Sequence, residues 1–330
     1  MGTPAAHGTG QSRLEAAVER ATQAAVAWRR QALDPEDPWL LSVADVGVAA
    51  EVILADRLFR DLTPAERAGL LAGIRAAQAP SGAWLDPSTG APDLSLTSLG
   101  WWACVEGGDD PSSERLVRAL RIVHELGGAQ RASFAVRLWL AVAGRIPWSW
   151  LPAVPAELWL LPPSNLFSPS RVCPWARGML TPYLLLTRAP ARIHLCDASP
   201  LLIMRGDKPI PPRITSDGLV GDLVQNFDTA IKVLRKLPRG PLLSASMARA
   251  QGWLGRAQQA HGGWFSARPT ILSLLAHRVA GANFDDGRIR RGLDYLRRAR
   301  GRARAGVSGE IVLHQGLTGA PLAALARLTQ

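Results

Sequence analysis

The chain reads RAGLLAGIRAAQAPSGAW over residues 67–84 and RAQGWLGRAQQAHGGW over residues 249–264. Each stretch opens with a basic residue and Ala, continues as an amphipathic helix, and has a Gln six positions before its closing Trp. A Gly stands two positions before each Trp. A motif that returns intact far along a chain indicates a repeated supersecondary unit, which here predicts repeated helical hairpins.

Each part of this unit has a chemical reason. Gln78 can donate its side-chain amide to carbonyls that a helix end leaves without intrahelical partners, or to the next turn. Gly82 can adopt the left-handed backbone geometry that ends a helix. The closing Trp84 can pack against the helix end and donate its indole N–H to a carbonyl. We expect Trp84, and its counterpart Trp264 in the second unit, to be core residues.

The two units resemble the QW repeats of the squalene–hopene and oxidosqualene cyclase family. Further segments resemble family motifs and follow in the family's order: DVGVAAE (45–51), PDLSLT (92–97), RLWLAVAGRIPW (137–148), VPAEL (154–158) and WAR (175–177). The resemblance extends from about residue 39 to the C-terminus. It implies an all-α fold consisting of a single α/α barrel of the terpene cyclase type.

Members of this family also have a second helical barrel, which carries the catalytic acid motif D-x-D-D. This sequence contains no D-x-D-D motif. The resemblance therefore implies the first, γ-type barrel alone. We divide the chain into a disordered tail at 1–12, an amphipathic helix at 13–33, the barrel at 34–300, and a stub at 301–330 that resembles the first helix of the second barrel.

Composition narrows the classes of function. A chain of 330 residues with 47% apolar residues can bury a large core. The sequence has no uninterrupted run of about twenty apolar residues, so we predict no membrane-spanning helix. Three scattered cysteines and six dispersed histidines form neither a disulfide framework nor a zinc-ligand pattern, so we expect no metal and no cofactor. The N-terminus lacks the features of a signal peptide, which together with the cysteine usage indicates the cytoplasm.

The net charge of +11 leaves three explanations open: an Arg-rich coding bias, an anionic membrane surface, or nucleic acid. The Arg-rich run at 288–304 has no recognised nucleic-acid motif and no interleaved aromatic residues, so we expect no nucleic-acid partner. A predicted helix at 217–237 combines an apolar face with a basic rim, a pattern of interfacial attachment as well as of an ordinary barrel helix. Peripheral contact with the inner face of the cell membrane therefore stays open.

Cyclisation through a carbocation needs aromatic faces around the cation and a cavity that excludes water. By resemblance, Trp139 and Trp175 match tryptophans at or near the family's substrate cavity, with ordinary core packing as the alternative. Ala267, Arg268 and Pro269 match the loop that lines the far end of that cavity. Arg268 stands where relatives have a neutral residue, which hints at an altered substrate.

Cyclisation also needs a strong acid, and the sequence leaves the proton donor unassigned. Glu51 resembles the second acid of a family segment, Asp93 could equally cap the next helix, and Asp228 lies on the predicted helix at 217–237. A buried carboxyl would have a raised pKa and could act as an acid. These three residues are the catalytic candidates.

The sequence leaves three functional hypotheses. The first is a terpene cyclase or isomerase that acts on a polyprenyl substrate without the D-x-D-D motif, within one barrel or between two copies. The second is a non-catalytic half-cyclase that binds an isoprenoid and docks a separate D-x-D-D barrel. The third is a decayed cyclase without activity.

Overall fold

The computed structural model describes residues 18–20, 22–23, 42–43, 45–165, 168–188, 192–206, 208–211, 241–302 and 313–314. The chain divides into two compact units, one of residues 44–313 and one of residues 1–43 with 314–330. The predicted tail at 1–12, the predicted helix at 217–237 with Asp228, and most of the stub at 301–330 lie outside the described residues. The predicted helix at 13–33 is described at 18–20 and 22–23, which are helical.

The described part of the unit of residues 44–313 is mostly helical, which confirms the predicted all-α class. Its α-helices are α1 (Val46–Phe59), α2 (Pro64–Ala76), α3 (Leu94–Glu106), α4 (Glu114–Glu125), α5 (Phe134–Val142), α6 (Pro174–Arg188), α7 (Pro241–Arg256), α8 (Ala267–Val279) and α9 (Gly287–Arg302). Short 3₁₀ helices occupy Ala129–Arg131, Trp148–Trp150, Ala156–Leu160, Pro169–Arg171 and Ser199–Leu201. The strands of the described chain are two residues long: β1 (Ser42–Val43), β2 (Met204–Arg205), β3 (Lys208–Pro209) and β4 (Leu313–His314), with β2 and β3 antiparallel.

The helices have two burial patterns, which assign them to two layers. Most residues of α1 and α8 are buried, on every side of each helix. In contrast, α4 buries only the stripe of Leu116, Ala119 and Val123. A helix that is apolar all round needs neighbours on all sides, whereas a striped helix covers a core from outside. Inner and outer helices therefore alternate from α1 to α5 and again from α6 to α9, as in an α/α barrel, and the Pro-rich segment joins the two inner helices α5 and α6.

The inner helices close into a ring. Helix α1 packs on α3, α3 on α5, α6 on α8, and α8 returns to α1. Phe134 of α5 meets Tyr183 of α6 edge-on, with 4.8 Å between the ring centroids. This contact joins α5 to α6, the remaining neighbouring pair of the ring. The first and last inner helices are thus in contact although most of the chain separates them.

The Pro-rich segment between α5 and α6 is irregular but packed, as the sequence predicts. Leu151, Ala156 and Trp159 are buried, and the 3₁₀ helix that contains the last two packs on α7. A proline inside a helix removes a backbone hydrogen bond and usually kinks or breaks the helix. Helix α6 is not split, and it continues through the buried Pro182 from Pro174 to Arg188.

The two Gln–Trp turns, residues 78–84 and 258–264, have the hydrogen bonds that the sequence predicts. The Gln78 amide donates to the Gly82 carbonyl at 2.8 Å and to the Arg115 carbonyl of α4 at 3.1 Å. The Trp84 indole donates to the Ile74 carbonyl at 2.8 Å, and Trp84 is fully buried. The turn therefore ties the end of α2 to the start of the next outer helix.

The second Gln–Trp turn repeats this arrangement. The Gln258 amide donates to the carbonyls of Gly262, at 2.7 Å, and Arg288 of α9, at 2.9 Å. The Trp264 indole donates to the Leu254 carbonyl at 2.8 Å. Gly262 has φ +91°, the left-handed geometry that glycine adopts most readily. The same chemistry thus fixes both hairpins, and it sets the ends of the inner helices that follow.

Candidate functional site at the amino end of the barrel

The first turns of three inner helices meet at one end of the barrel. Asp45 caps α1 by accepting hydrogen bonds from the backbone N–H groups of Gly47 and Val48. Gly47 has no side chain, and an added Cβ would lie 3.2 Å from Leu96 of α3 and 3.2 Å from Arg268 of α8. The absence of a side chain at Gly47 thus permits the close approach of α1, α3 and α8.

The other two inner helices begin at the same end. The Ser133 N–H, just before α5, donates to the Ser95 hydroxyl in the first turn of α3 at 2.9 Å. The Trp175 indole, in the first turn of α6, donates to the Ser266 hydroxyl, just before α8, at 3.2 Å. We call this the amino end of the barrel: the first turns of α1, α3, α5, α6 and α8. Five helix N-termini there present partial positive charge, which favours carboxylates.

An ion pair is buried at the amino end. The Arg268 Nε of α8 lies 2.9 Å and 3.1 Å from the two carboxylate oxygens of Glu51 on α1. The Glu51 side chain is 3% exposed and that of Arg268 is 29% exposed. Burial raises the pKa of Glu51, an effect that the Arg268 guanidinium opposes and the nearby Asp45 reinforces. The same pairing raises the pKa of Arg268.

Asp93 also lies at the amino end, where it caps α3. Its carboxylate accepts a hydrogen bond from the Leu96 N–H at 2.6 Å, which is the helix-capping alternative considered for this residue. It is half-buried, so solvent still reaches it. Asp228, the third predicted acid, lies outside the described residues. The structure thus brings Glu51 and Asp93 to one end of the barrel, each with partners.

The aromatic candidates divide between this end and the core. Trp175 is half-buried at the amino end, whereas Trp139 is 2% exposed within α5 and packs in the core. Ala267 and Pro269 are buried. With Arg268 they form the first turn of α8, so the expected loop at 267–269 is instead helical. The helix can include residues 267–269 because Pro269 is well tolerated in a first turn, where a backbone N–H would make no intrahelical hydrogen bond.

Sequence reasoning missed two further aromatic residues near Trp175. Phe265 stacks on Trp253 of α7, with 6.4 Å between centroids, and its ring fills the space above Gly178 of α6. Phe265 has φ +68°, which is uncommon for a residue with a side chain and marks a position that its surroundings enforce. The sequence contains one signal for Phe265. The residue after the closing Trp is Leu85 in the first unit but an aromatic residue, Phe265, in the second.

Residues 18–304 match the family model described as the squalene–hopene cyclase N-terminal domain. The chain belongs to the squalene–hopene cyclase family. The matched region includes every element of the barrel and both Gln–Trp turns. Terpene cyclase family membership, expected from the collinear motifs, is therefore confirmed.

Several cyclases are similar to this family member. The squalene–hopene cyclase of Alicyclobacillus acidocaldarius is 28% identical over 250 residues, which cover 73% of this chain and 38% of that protein. The squalene–hopene cyclase of Zymomonas mobilis is 30% identical over 177 residues, covering 52% and 26%. Enfumafungin synthase of Hormonema carpetanum is 27% identical over 320 residues, covering 89% and 24%. The similarity thus spans between about a quarter and two fifths of these relatives.

Two kinds of feature are absent from the described part of this cyclase-family barrel. None of its described helices combines the length and apolar character needed to cross a bilayer. The described residues also contain no group of three or more His, Cys, Asp or Glu side chains placed to hold a metal ion.

Proposed function

We propose that this barrel binds an isoprenoid chain at its amino end and does not itself protonate it. It would form one wall of a terpene cyclase site whose acid comes from a D-x-D-D barrel. The observation that carries this proposal is the Glu51–Arg268 pair. The best placed acid of the described chain is engaged by a guanidinium, on both of its carboxylate oxygens.

A proton donor must be protonated before it acts; burial raises the pKa of Glu51 toward that state, and the Arg268 guanidinium opposes it. A guanidinium at hydrogen-bond distance favours the charged form of a carboxyl, while burial favours the neutral form. Protonating Glu51 would leave the Arg268 charge without its counter-ion at the amino end. Asp93 is used as a helix cap, and Asp45 likewise. This supports the half-cyclase hypothesis over a stand-alone cyclase or isomerase.

The aromatic residues at the amino end support the choice of ligand. Trp175, Phe265 and Trp253 are each half-buried, so part of each residue remains accessible, and the Arg177 guanidinium lies 5.4 Å from the Trp253 ring centroid. Flat aromatic surfaces contact hydrocarbon chains well, and they stabilise cations that develop along them. Relatives of this barrel carry names that specify squalene–hopene cyclisation, which makes an isoprenoid the first ligand class to test.

The test measures quenching of tryptophan fluorescence by detergent-solubilised squalene and by geranylgeranyl diphosphate. We expect saturable binding that Trp175→Ala weakens by about tenfold or more, since burying a large apolar side chain contributes about 1.5–3 kcal/mol. The matched control is Trp150→Ala, also a half-buried tryptophan, which follows the opposite end of α5. Absence of binding, or equal loss in both variants, would contradict the proposal.

The proposed function also implies a partner and a location for this barrel. The barrel would need a D-x-D-D barrel, in the same polypeptide or as another chain, and would meet its water-insoluble ligand at the cytoplasmic face of a membrane. A homodimer that builds its site from two amino ends is the other arrangement. Sedimentation equilibrium distinguishes them, because only the homodimer gives twice the monomer mass for this chain alone.

A further inference from the structure

A cleft of about 600 Å³ lies between α7, the last turn of α8 and the start of α9. It is formed at the carboxyl end of α8, whereas the amino end of the barrel is formed at the opposite end of that helix. Its walls include Gly252, Gly255 and Arg256 of α7, His277 of α8, and Arg288 of α9. We call it the Arg–His cleft. Clefts of this volume can hold small organic ligands.

Two glycines let guanidinium groups lie close against α7. A Cβ added at Gly252 would come within 3.3 Å of an Arg256 guanidinium nitrogen, and one added at Gly255 within 3.5 Å of Arg288 Nε. Larger residues at these positions would press on both groups. The glycines therefore keep the two positive charges beside one cavity.

The two guanidinium groups have no carboxylate or carbonyl partner among the residues that the structure describes. By contrast, Arg290 and Arg298, also on α9, each donate to a backbone carbonyl. Asp286 is the acid that lines the cleft, and its carboxylate accepts a hydrogen bond from the Arg288 backbone N–H at 2.7 Å, which caps α9. The donors of Arg256 and Arg288 thus face the cavity with hydrogen-bonding capacity left over.

His277 also lines the cleft. Its Nε2 is buried and, among the described residues, has no hydrogen-bond partner, while its ring lies against Trp264 with 5.5 Å between centroids. Burial, and then the charge of Arg288, lower the pKa of His277. An anion beside both groups would counter this lowering.

We propose that the Arg–His cleft binds a phosphate-bearing molecule, either a small soluble phosphate ester or the headgroup of an anionic lipid. Guanidinium groups match the oxygens of phosphate through paired, charge-assisted hydrogen bonds. The volume exceeds what a phosphate group fills, so the cleft has room for the organic part of an ester. This inference stands apart from isoprenoid binding at the amino end and does not depend on it.

The experiment uses the whole chain and two probes. Isothermal titration measures binding of inorganic pyrophosphate, and co-sedimentation measures binding to phosphatidylcholine vesicles with and without phosphatidic acid. Arg288→Gln removes one guanidinium, and Gly255→Leu fills the cavity without a change of charge. Arg290→Gln is the matched control, because it removes the same charge from the same helix outside the cleft.

We expect pyrophosphate affinity to fall about tenfold in Arg288→Gln and in Gly255→Leu, and to change less than about twofold in Arg290→Gln. If the protein binds the vesicles but not pyrophosphate, and Arg288→Gln and Gly255→Leu weaken vesicle binding more than Arg290→Gln does, the ligand is a lipid headgroup. Equal losses in Arg288→Gln and Arg290→Gln would mean attraction by general positive charge and would overturn the proposal. Binding of neither probe to a folded protein, shown by circular dichroism, would overturn it as well.

Discussion

Replacing Arg268 by Gln should leave the Glu51 carboxylate buried without a counter-ion. Glu51 is 3% exposed, so water cannot replace the two contacts that Arg268 makes with it. Breaking a buried ion pair from one side costs about 3–5 kcal/mol. Because 29% of the Arg268 side chain is exposed, we expect the lower end of that range, about 3 kcal/mol of unfolding free energy near pH 8.

The loss should depend on pH with a definite sign. Burial already raises the pKa of Glu51, and removing Arg268 takes away the main influence that lowers it. The folded variant then holds a proton more tightly than the unfolded chain, so its stability falls as pH rises through the raised folded pKa. The difference in stability between the wild type and Arg268→Gln should therefore be smaller near pH 5 than near pH 8.

Guanidinium chloride unfolding followed by circular dichroism measures this difference at both pH values. The double variant Glu51→Gln with Arg268→Gln should recover part of the loss, since no buried charge remains. The control is Arg118→Gln, whose partner Glu114 is 85% exposed, and it should cost less than about 1 kcal/mol. A loss in Arg268→Gln no larger than this control, or the same at both pH values, would refute the reasoning.

Three further predictions follow from single contacts. Trp264→Phe removes a buried N–H donor and should lower the unfolding free energy by about 1–3 kcal/mol in denaturant titrations; no change would refute the role of the turn. Gly262→Ala places a Cβ 2.3 Å from a carbonyl oxygen at φ +91° and should destabilise more than Gly90→Ala, which meets no neighbour, as compared by thermal unfolding. Burial raises the pKa of Cys104 to about 11, so mass spectrometry should show iodoacetamide alkylating it far more slowly than the exposed Cys173; equal rates would contradict this.

The Gln–Trp turns could be predicted from sequence because their chemistry is local. Gln78 and Trp84 stand six positions apart, and the glycine between them determines the turn that brings their groups to the helix end. The same holds for the start of helix α3, because Asp93 stands just before Leu94 and caps the helix, one of the two roles that the sequence leaves open for it. Periodicity and capping act over a few residues, so one sequence suffices to see them.

The pairing at the amino end could not be predicted in this way. Glu51 and Arg268 are 217 positions apart, and only closure of the ring of inner helices brings them together. The sequence predicted Glu51 as a candidate acid and Arg268 as a loop residue, but not that one would neutralise the other. The position of Phe265 likewise depends on Gly178 of another helix. Such contacts depend on tertiary packing, which no local pattern contains.

The central claim is that this barrel binds isoprenoid without converting it. The most direct measurement incubates the purified chain with squalene and with geranylgeranyl diphosphate, alone and with a purified D-x-D-D barrel from a relative, and analyses the extract by mass spectrometry. The account predicts unconverted substrate from the chain alone. A cyclic product from the chain alone, abolished by Glu51→Gln, would contradict it and make Glu51 the acid.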